Sequence, residues 1–147
     1  MDEHYSSGAA EPVPALVQRL ARSGAQRLRA EFADQGMDSL RPVHALVLIP
    51  LIGGGRHASA LAEILGVSRQ AVAQVVTTLE RDGYVKRTPD PGDARAKLIC
   101  LTPRGRAALR TMQASSRALD DAWRQRLGEE PHASFRETLM ILLSGAP

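Results

Sequence analysis

Hydrophobic residues follow helical spacing along most of the chain, whereas residues 84–101 have the composition of two strands around a turn. Ser68 is a favourable N-cap for a helix over 69–81, and Gly66 tolerates the left-handed conformation that ends a preceding helix. Two short helices that meet at such a turn form a helix-turn-helix. The buried stripe of the second helix keeps the i, i+3, i+4, i+7 spacing and consists of Val72, Val75, Val76 and Leu79.

The opposite face of this second helix carries polar side chains and no carboxylate. A solvated helix face usually mixes both signs of charge, so the absence is informative. Arg and Gln can hydrogen-bond purine edges in the DNA major groove, which favours a recognition helix over the alternative of a plain surface helix. The candidate DNA-binding residues of this segment are Ser68, Arg69, Gln70, Ala73, Gln74 and Thr77.

A β-hairpin is predicted directly after the helix-turn-helix. Asp82-Gly83 ends the helix, residues 84–88 form one strand, and residues 96–101 form the returning strand. The intervening residues 89–93 have strong turn chemistry, and residues 56–58 are expected to add a short strand. Together these elements make a winged helix. The basic residues of the wing that could meet a phosphate backbone are Arg87, Arg95 and Lys97.

Several segments within residues 40–110 share a further pattern. It comprises residues 61–72 of the helix-turn-helix, Leu79 to Val85, the wing from Asp90 to Arg95, and Leu101-Thr102-Pro103-Arg104-Gly105. The last two segments are the most specific, because generic winged helices lack them. With these residues the chain resembles the multiple-antibiotic-resistance regulator (MarR) family.

The resemblance implies a homodimeric, ligand-responsive transcriptional regulator that binds a palindromic operator in double-stranded DNA. It also implies that the wing arginine, Arg95, enters the minor groove and that the wing aspartate, Asp93, helps to position it. Ala94 departs from the family pattern, because many members carry a second arginine there. We therefore expect the wing to bind DNA with lower affinity than is usual in the family.

Amphipathic helices are predicted on both sides of the winged helix. Residues 12–35 form a long one that Gly36 ends, and residues 41–52 form a shorter one. Pro42 suits the first turn of the shorter helix, and Pro50 should distort or end it.

The longest predicted helix begins at Thr102 and Pro103, is broken at residues 128–131, and is followed by a final helix. Its apolar stripe and those of the other terminal helices need a partner surface, and a second copy of the chain is the simplest one. The helix-packing positions are Leu109, Met112, Ser116, Leu119, Trp123 and Arg126 in the long helix, and Phe135, Leu139, Leu142 and Leu143 in the final helix.

The expected fold class is therefore mostly α (α+β), a winged helix-turn-helix with N- and C-terminal dimerisation helices. Its segments are a flexible tail (1–11), an N-terminal dimerisation helix (12–40), the winged helix-turn-helix DNA-binding lobe (41–102, the winged lobe) and C-terminal dimerisation helices (103–147).

Composition agrees with this organisation. The 147 residues, 44% of them hydrophobic, suit one compact unit. Residues 53–110 contain ten basic and five acidic residues and so carry +5, which leaves −2 for the rest because the whole chain carries +3. A single cysteine, no bilayer-spanning apolar run and no apolar leader at Met1 predict a cytoplasmic protein without membrane contact.

No metal, cofactor or enzymatic activity is expected, because the four histidines lack metal-ligand spacing and no nucleophile motif is present. Met112 and Trp123 are candidate ligand-binding residues between the dimerisation helices and the winged lobe, although core packing is the commoner role at this spacing.

The favoured hypothesis is a repressor in which a small-molecule effector changes the separation of the two recognition helices. Thiol-based redox sensing through Cys100 is one alternative, although an inert strand residue is the simpler interpretation of a cysteine on the Leu98 face, opposite Ile99 and Leu101. A winged helix used only for protein–protein contact is the other alternative.

Overall fold

The computed structural model describes residues 11–145, which are mostly helical with one two-stranded antiparallel sheet. The expected mostly α fold class with a winged helix-turn-helix is thus confirmed, whereas the tail predicted at 1–11 lies outside the described residues except for Glu11. The elements are α1 (Val13–Asp34), α2 (Pro42–Ala45), a 3-10 helix (Leu46–Leu51), α3 (Ala58–Leu65), α4 (Arg69–Arg81), β1 (Val85–Asp90), β2 (Asp93–Leu101), α5 (Pro103–Leu127) and α6 (Glu129–Ser144).

The helix-turn-helix, α3 and α4, forms where its caps predict. Gly66 ends α3 with φ +64°, a left-handed conformation that side chains with a Cβ adopt reluctantly. Ser68 Oγ then accepts a hydrogen bond of 3.1 Å from the Ala71 amide and so caps α4. The predicted stripe of α4 is buried apart from Val75, which is half-buried at its edge. The turn and the stripe together fix which face of α4 remains exposed.

Residues 41–52 depart from the single α-helix that the pattern predicts. The α-helical geometry lasts only from Pro42 to Ala45, and a 3-10 helix with Pro50 inside it follows. Pro50 has no amide N–H, and its ring would clash with the carbonyl of Leu46 in an α-helix. The expected distortion by Pro50 therefore extends over the whole second half of the segment.

The wing, β1 and β2, is longer than predicted because Pro89, Asp90 and Asp93 join the strands and leave two turn residues. Pro89 is tolerated because the pairing register shifts immediately after it. The strand expected at 56–58 is reduced to a single bridge, in which Arg56 and Ile99 exchange backbone hydrogen bonds of 3.0 and 2.8 Å. Arg56 thus fastens the segment before α3 to the C-terminal part of β2.

The Leu-Thr-x-x-Gly segment forms a tight junction between the wing and α5. Thr102 Oγ1 accepts a hydrogen bond from the Gly105 amide at 3.1 Å, and it lies 2.6 Å from the carbonyl oxygen of Gly83, to which it donates. Tyr84 is fully buried, and a Cβ on Gly105 would come within 2.1 Å of the Tyr84 carbonyl oxygen. Glycine is required at 105 by this close approach, since its φ is not positive.

Beyond the junction, α5 packs along α1 and turns at Gly128 into α6. The break is a single residue, because Pro131 is accommodated within the first turn of α6. Trp123 of α5 meets Phe135 of α6 edge to face, with 6.3 Å between ring centroids. His132 is buried and its Nε2 lies 2.9 Å from Asp120 Oδ1.

The two ends of the described chain expose apolar side chains. On α1 these are Val13, Leu16, Val17 and Leu20, and on α6 they are Met140, Ile141, Leu142 and Leu143. An open groove of about 600 Å³ runs along α1 and reaches Phe135. Within residues 11–145 there is no helix long and apolar enough to cross a membrane.

Candidate nucleic-acid interface

One face of α4 presents the side chains that the sequence singled out. Its buried stripe points inward, so the opposite face is available to a partner. Thr77 Oγ1 donates to the Ala73 carbonyl oxygen at 2.8 Å, which leaves its methyl group for contact, and Ser68 is engaged as the N-cap. Ser68, Arg69, Gln70, Ala73, Gln74 and Thr77 are all exposed. This face has the donors, acceptors and small central residue that a DNA major groove accepts.

The tip of the wing is organised by two carboxylates. Asp90 Oδ1 accepts from the Gly92 amide at 2.8 Å, and Asp93 Oδ1 accepts from the Arg95 amide at 3.0 Å. Among the described residues, no ion pair joins Asp93 to the Arg95 guanidinium. Asp93 therefore acts on Arg95 through the backbone, and the exposed guanidinium stays available for a phosphate or a groove.

Arg87 is placed differently from the other basic residues of the wing. Its guanidinium pairs with the Glu80 carboxylate of α4, and its amide donates to the other Glu80 oxygen at 3.2 Å. The pair fastens β1 to the end of α4 and compensates the charge of Arg87. Lys97 is exposed, as is Lys86, a basic wing residue that the sequence reasoning did not single out.

A second ion pair lies at the end of α4. Arg81 Nε donates to Asp82 Oδ1 at 2.9 Å, and this hydrogen bond holds the pKa of the Asp82 carboxyl below its usual value. The Arg81 side chain is exposed, whereas the Asp82 carboxylate is largely covered. Solvent around the guanidinium weakens the pair, so it contributes little to the free energy of unfolding.

The two candidate ligand-binding residues are not brought together. Met112 lines a cleft of about 330 Å³ between the 3-10 helix and α5, with Ile49, Ile52 and Leu109. Trp123 lines another cavity, of about 380 Å³, beside Leu20 and Phe135 at the α6 end. A single ligand cavity shared by Met112 and Trp123 is therefore absent from the part of the chain that the structure describes.

Next to the Met112 cleft is a second one, of about 460 Å³, that shares Ile52, Leu109 and Gln113 with it. Arg106, Arg110 and Cys100 line this second cleft, so it combines positive charge with apolar walls. Cys100 is half-buried, its Sγ lies 3.4 Å from Thr88 Oγ1, and a Cβ on Gly55 would come within 2.6 Å of it. The alternation of burial along β2 agrees with the predicted strand face of Cys100, because Leu98 and Cys100 are half-buried whereas Ile99 and Leu101 are buried.

Comparison with known proteins finds similarity to transcriptional regulators. A sequence model of the MarR family matches residues 39–96. The transcriptional activatory protein BadR of Rhodopseudomonas palustris is 39% identical over 57 residues, which are 39% of this chain and 33% of BadR. The HTH-type transcriptional regulator PetP of Rhodobacter capsulatus is 27% identical over 113 residues, 77% of this chain and 66% of PetP.

Among solved structures, the reduced form of MarR from E. coli superposes with a TM-score of 0.74 at 20% identity, over 92% of this chain and 99% of that one. At this identity the likeness concerns the fold. The chain spans about a third of BadR and just under two thirds of PetP, so the activities of those whole proteins do not transfer directly.

Proposed function

We propose that this chain is a transcriptional regulator of the MarR family, whose sequence model matches residues 39–96, and that it binds a palindromic operator in double-stranded DNA as a homodimer. In this proposal α4 enters the major groove and the wing reaches the adjacent minor groove. The protein acts in the cytoplasm, and a small-molecule effector lowers its affinity for DNA.

The observation that carries the proposal is the exposed face of α4. Arg69, Gln70 and Gln74 can each form paired hydrogen bonds with a base edge, and a carboxylate that would repel the phosphates is absent from this face. Arg95 supplies a cation at the wing tip, where the potential of a narrow minor groove attracts arginine. Two points of contact on one winged lobe would define a half-site.

Homodimerisation is supported by the apolar residues left exposed at both ends of the described chain. Leu16 and Leu20 line the groove along α1, and Leu142 and Leu143 project from α6. Exposed apolar side chains in such number usually mark an interface, and a two-fold pairing can cover both helices. The two copies of α4 would then lie about one helical turn of DNA apart.

We propose that the effector binds in the cleft that Met112 lines between the 3-10 helix and α5. This cleft adjoins the one with Arg106 and Arg110, so an anionic molecule with an apolar body suits the chemistry of the combined walls. Repression is the proposed sign of regulation, because a dimer on an operator blocks access to the DNA. BadR is named an activatory protein, so a promoter fusion must decide the sign.

Selection of binding sites from a random-sequence duplex library tests DNA recognition. We expect an inverted repeat, and we expect Arg69→Ala and Gln70→Ala to relax preference at defined bases by about 1–3 kcal/mol each. Arg29→Ala, the same charge loss on α1, serves as the control. An equal loss of affinity on operator and random DNA would restrict Arg69 and Gln70 to phosphate contacts.

Sedimentation at low micromolar concentration tests the dimer. Leu16→Glu combined with Leu142→Glu should give monomers that retain their helical circular dichroism but bind the operator weakly. A monomeric wild-type protein would refute the two-fold arrangement.

Two assays separate the alternatives. A redox sensor requires that peroxide release DNA from the wild type and not from Cys100→Ser. A winged helix that serves protein contact alone would show no salt-dependent affinity for any duplex, since neutralised phosphates are the source of that dependence.

A further inference from the structure

His57 occupies the N-cap position of α3 without acting as a cap. Its side chain makes no hydrogen bond to the first turn of α3, although Ser, Thr, Asp or Asn at this position normally does. The ring reaches the wing instead, where its Nε2 lies 2.9 Å from Asp90 Oδ2. The Asp90 side chain is only 21% exposed, so the contact is partly shielded from water.

Asp90 makes contacts on both sides of the wing tip. It is the last residue of β1, it pairs with Asp93 across the hairpin, and the register shift falls directly before it. One of its oxygens holds the Gly92 amide and the other meets His57. Asp93 in turn holds the Arg95 amide. A chain of contacts thus runs from α3 to the backbone of Arg95.

We propose that His57 is a positioning residue for DNA binding, which fixes the wing tip and hence Arg95 relative to the helix-turn-helix. This inference rests on the proposed DNA-binding function. Arg56 holds β2 near its C-terminal end through its backbone bridge to Ile99, and Glu80 of α4 holds β1 at Arg87. His57 adds an attachment at the far end of the wing, which neither of these contacts reaches.

The contact also has an electrostatic role. The charged residues between 88 and 96 are Asp90, Asp93 and Arg95, so the tip as a whole carries −1 where it would approach phosphates. A hydrogen-bond donor on each carboxylate partly offsets the resulting repulsion. His57 donates to the Asp90 oxygen that the turn itself leaves open.

A pair of substitutions at 57 separates positioning from stability. Serine is a better N-cap than histidine, so His57→Ser should keep or raise the thermal midpoint while operator affinity falls about three- to tenfold, the equivalent of one hydrogen bond. His57→Gln carries an amide donor close to the place of Nε2 and should stay within about twofold of the wild type. A purely structural role would make affinity follow the thermal midpoint in both variants.

Double mutants test whether the affinity lost in His57→Ser depends on Arg95. In an Arg95→Ala background His57→Ser should cost little further affinity, whereas in an Arg69→Ala background its full cost should remain. Asp90→Asn keeps an acceptor for Gly92 and should restore part of the affinity lost in His57→Ser, because it removes the unpartnered charge. It also provides a variant at the other end of the contact should His57→Ser fail to fold.

The outcomes distinguish this inference from the proposed function. If Arg95→Ala weakens binding and His57→Ser does not, only the role of His57 is overturned. Equal cost of His57→Ser in both arginine backgrounds overturns it as well, since the effect would not pass through the wing tip. If neither Arg69→Ala nor Arg95→Ala changes binding, the DNA-binding function fails together with this inference.

Discussion

Gly105→Ala is predicted to destabilise the protein even though alanine favours helices. The added Cβ would lie 2.1 Å from the Tyr84 carbonyl oxygen and 3.1 Å from Leu101 Cδ2. A carbon normally stays at least about 3.3 Å from a carbonyl oxygen, so α5 would have to retreat from the wing by roughly 1 Å. That retreat strains the hydrogen bonds that Thr102 forms at the junction.

Overpacking of this kind costs about 1–3 kcal/mol, and each weakened hydrogen bond adds about 1 kcal/mol. The gain in helix propensity from glycine to alanine returns at most about 1 kcal/mol. The net loss should be about 2–4 kcal/mol, a large share of the roughly 5–15 kcal/mol by which domains are stable. Urea unfolding at a fixed protein concentration measures it.

Gly24→Ala is the matched control, because Gly24 also lies inside a helix but its added Cβ would lie 3.5 Å from Leu119 Cδ2, an ordinary contact. This variant should be more stable than the wild type by about 0.5–1 kcal/mol. If Gly105→Ala is as stable as the wild type, the reasoning is refuted, and the junction between the wing and α5 can move apart at little energetic cost.

Three further predictions concern the wing and pH. Arg95→Ala should fold and dimerise normally but lose about 1–3 kcal/mol of operator affinity, with about two units taken off the salt slope because a dimer has two wings. Arg87→Ala should change the salt slope less, since Glu80 already compensates the charge of Arg87. If both variants change the slope equally, Arg87 contacts a DNA phosphate. Burial, followed by the nearby Arg41 charge, lowers the pKa of His44. The unfolded chain therefore binds the proton more readily, and the free energy of unfolding should fall as pH drops below about 6.5. His44→Gln should reduce that pH dependence of the urea midpoint, and an unchanged profile would assign it to other groups.

Most of the secondary structure can be predicted from local sequence signals. Caps such as Ser68 and Thr102 act within three residues, and the α4 stripe is a property of one helix, so both can be inferred from spacing alone. Contacts between elements could not be inferred. Nothing in the spacing indicates that Glu80 will meet Arg87 or that His57 will meet Asp90.

The assignment of Met112 and Trp123 to ligand binding stays a prediction, but helix geometry already argues against one ligand that touches both. Met112 and Trp123 are eleven residues apart on one helix, which at about 1.5 Å per residue separates their Cα atoms by roughly 16 Å. One small molecule rarely reaches both, and the structure places them in different cavities. The wing extends beyond the predicted strands because a register shift directly after Pro89 accommodates a residue that normally ends strand pairing.

The ties between elements restrict how an effector can act. Glu80 and Arg87 join α4 to β1, and Arg56 joins the segment before α3 to β2, so the surfaces proposed to contact DNA are fastened to each other. The Met112 cleft lies instead between the 3-10 helix and α5, where the winged lobe meets the long helix. An effector bound there would tilt the lobe as one body rather than reshape its DNA-contacting face. It should therefore change which half-site spacing is bound best and leave the preferred bases within each half-site unaltered.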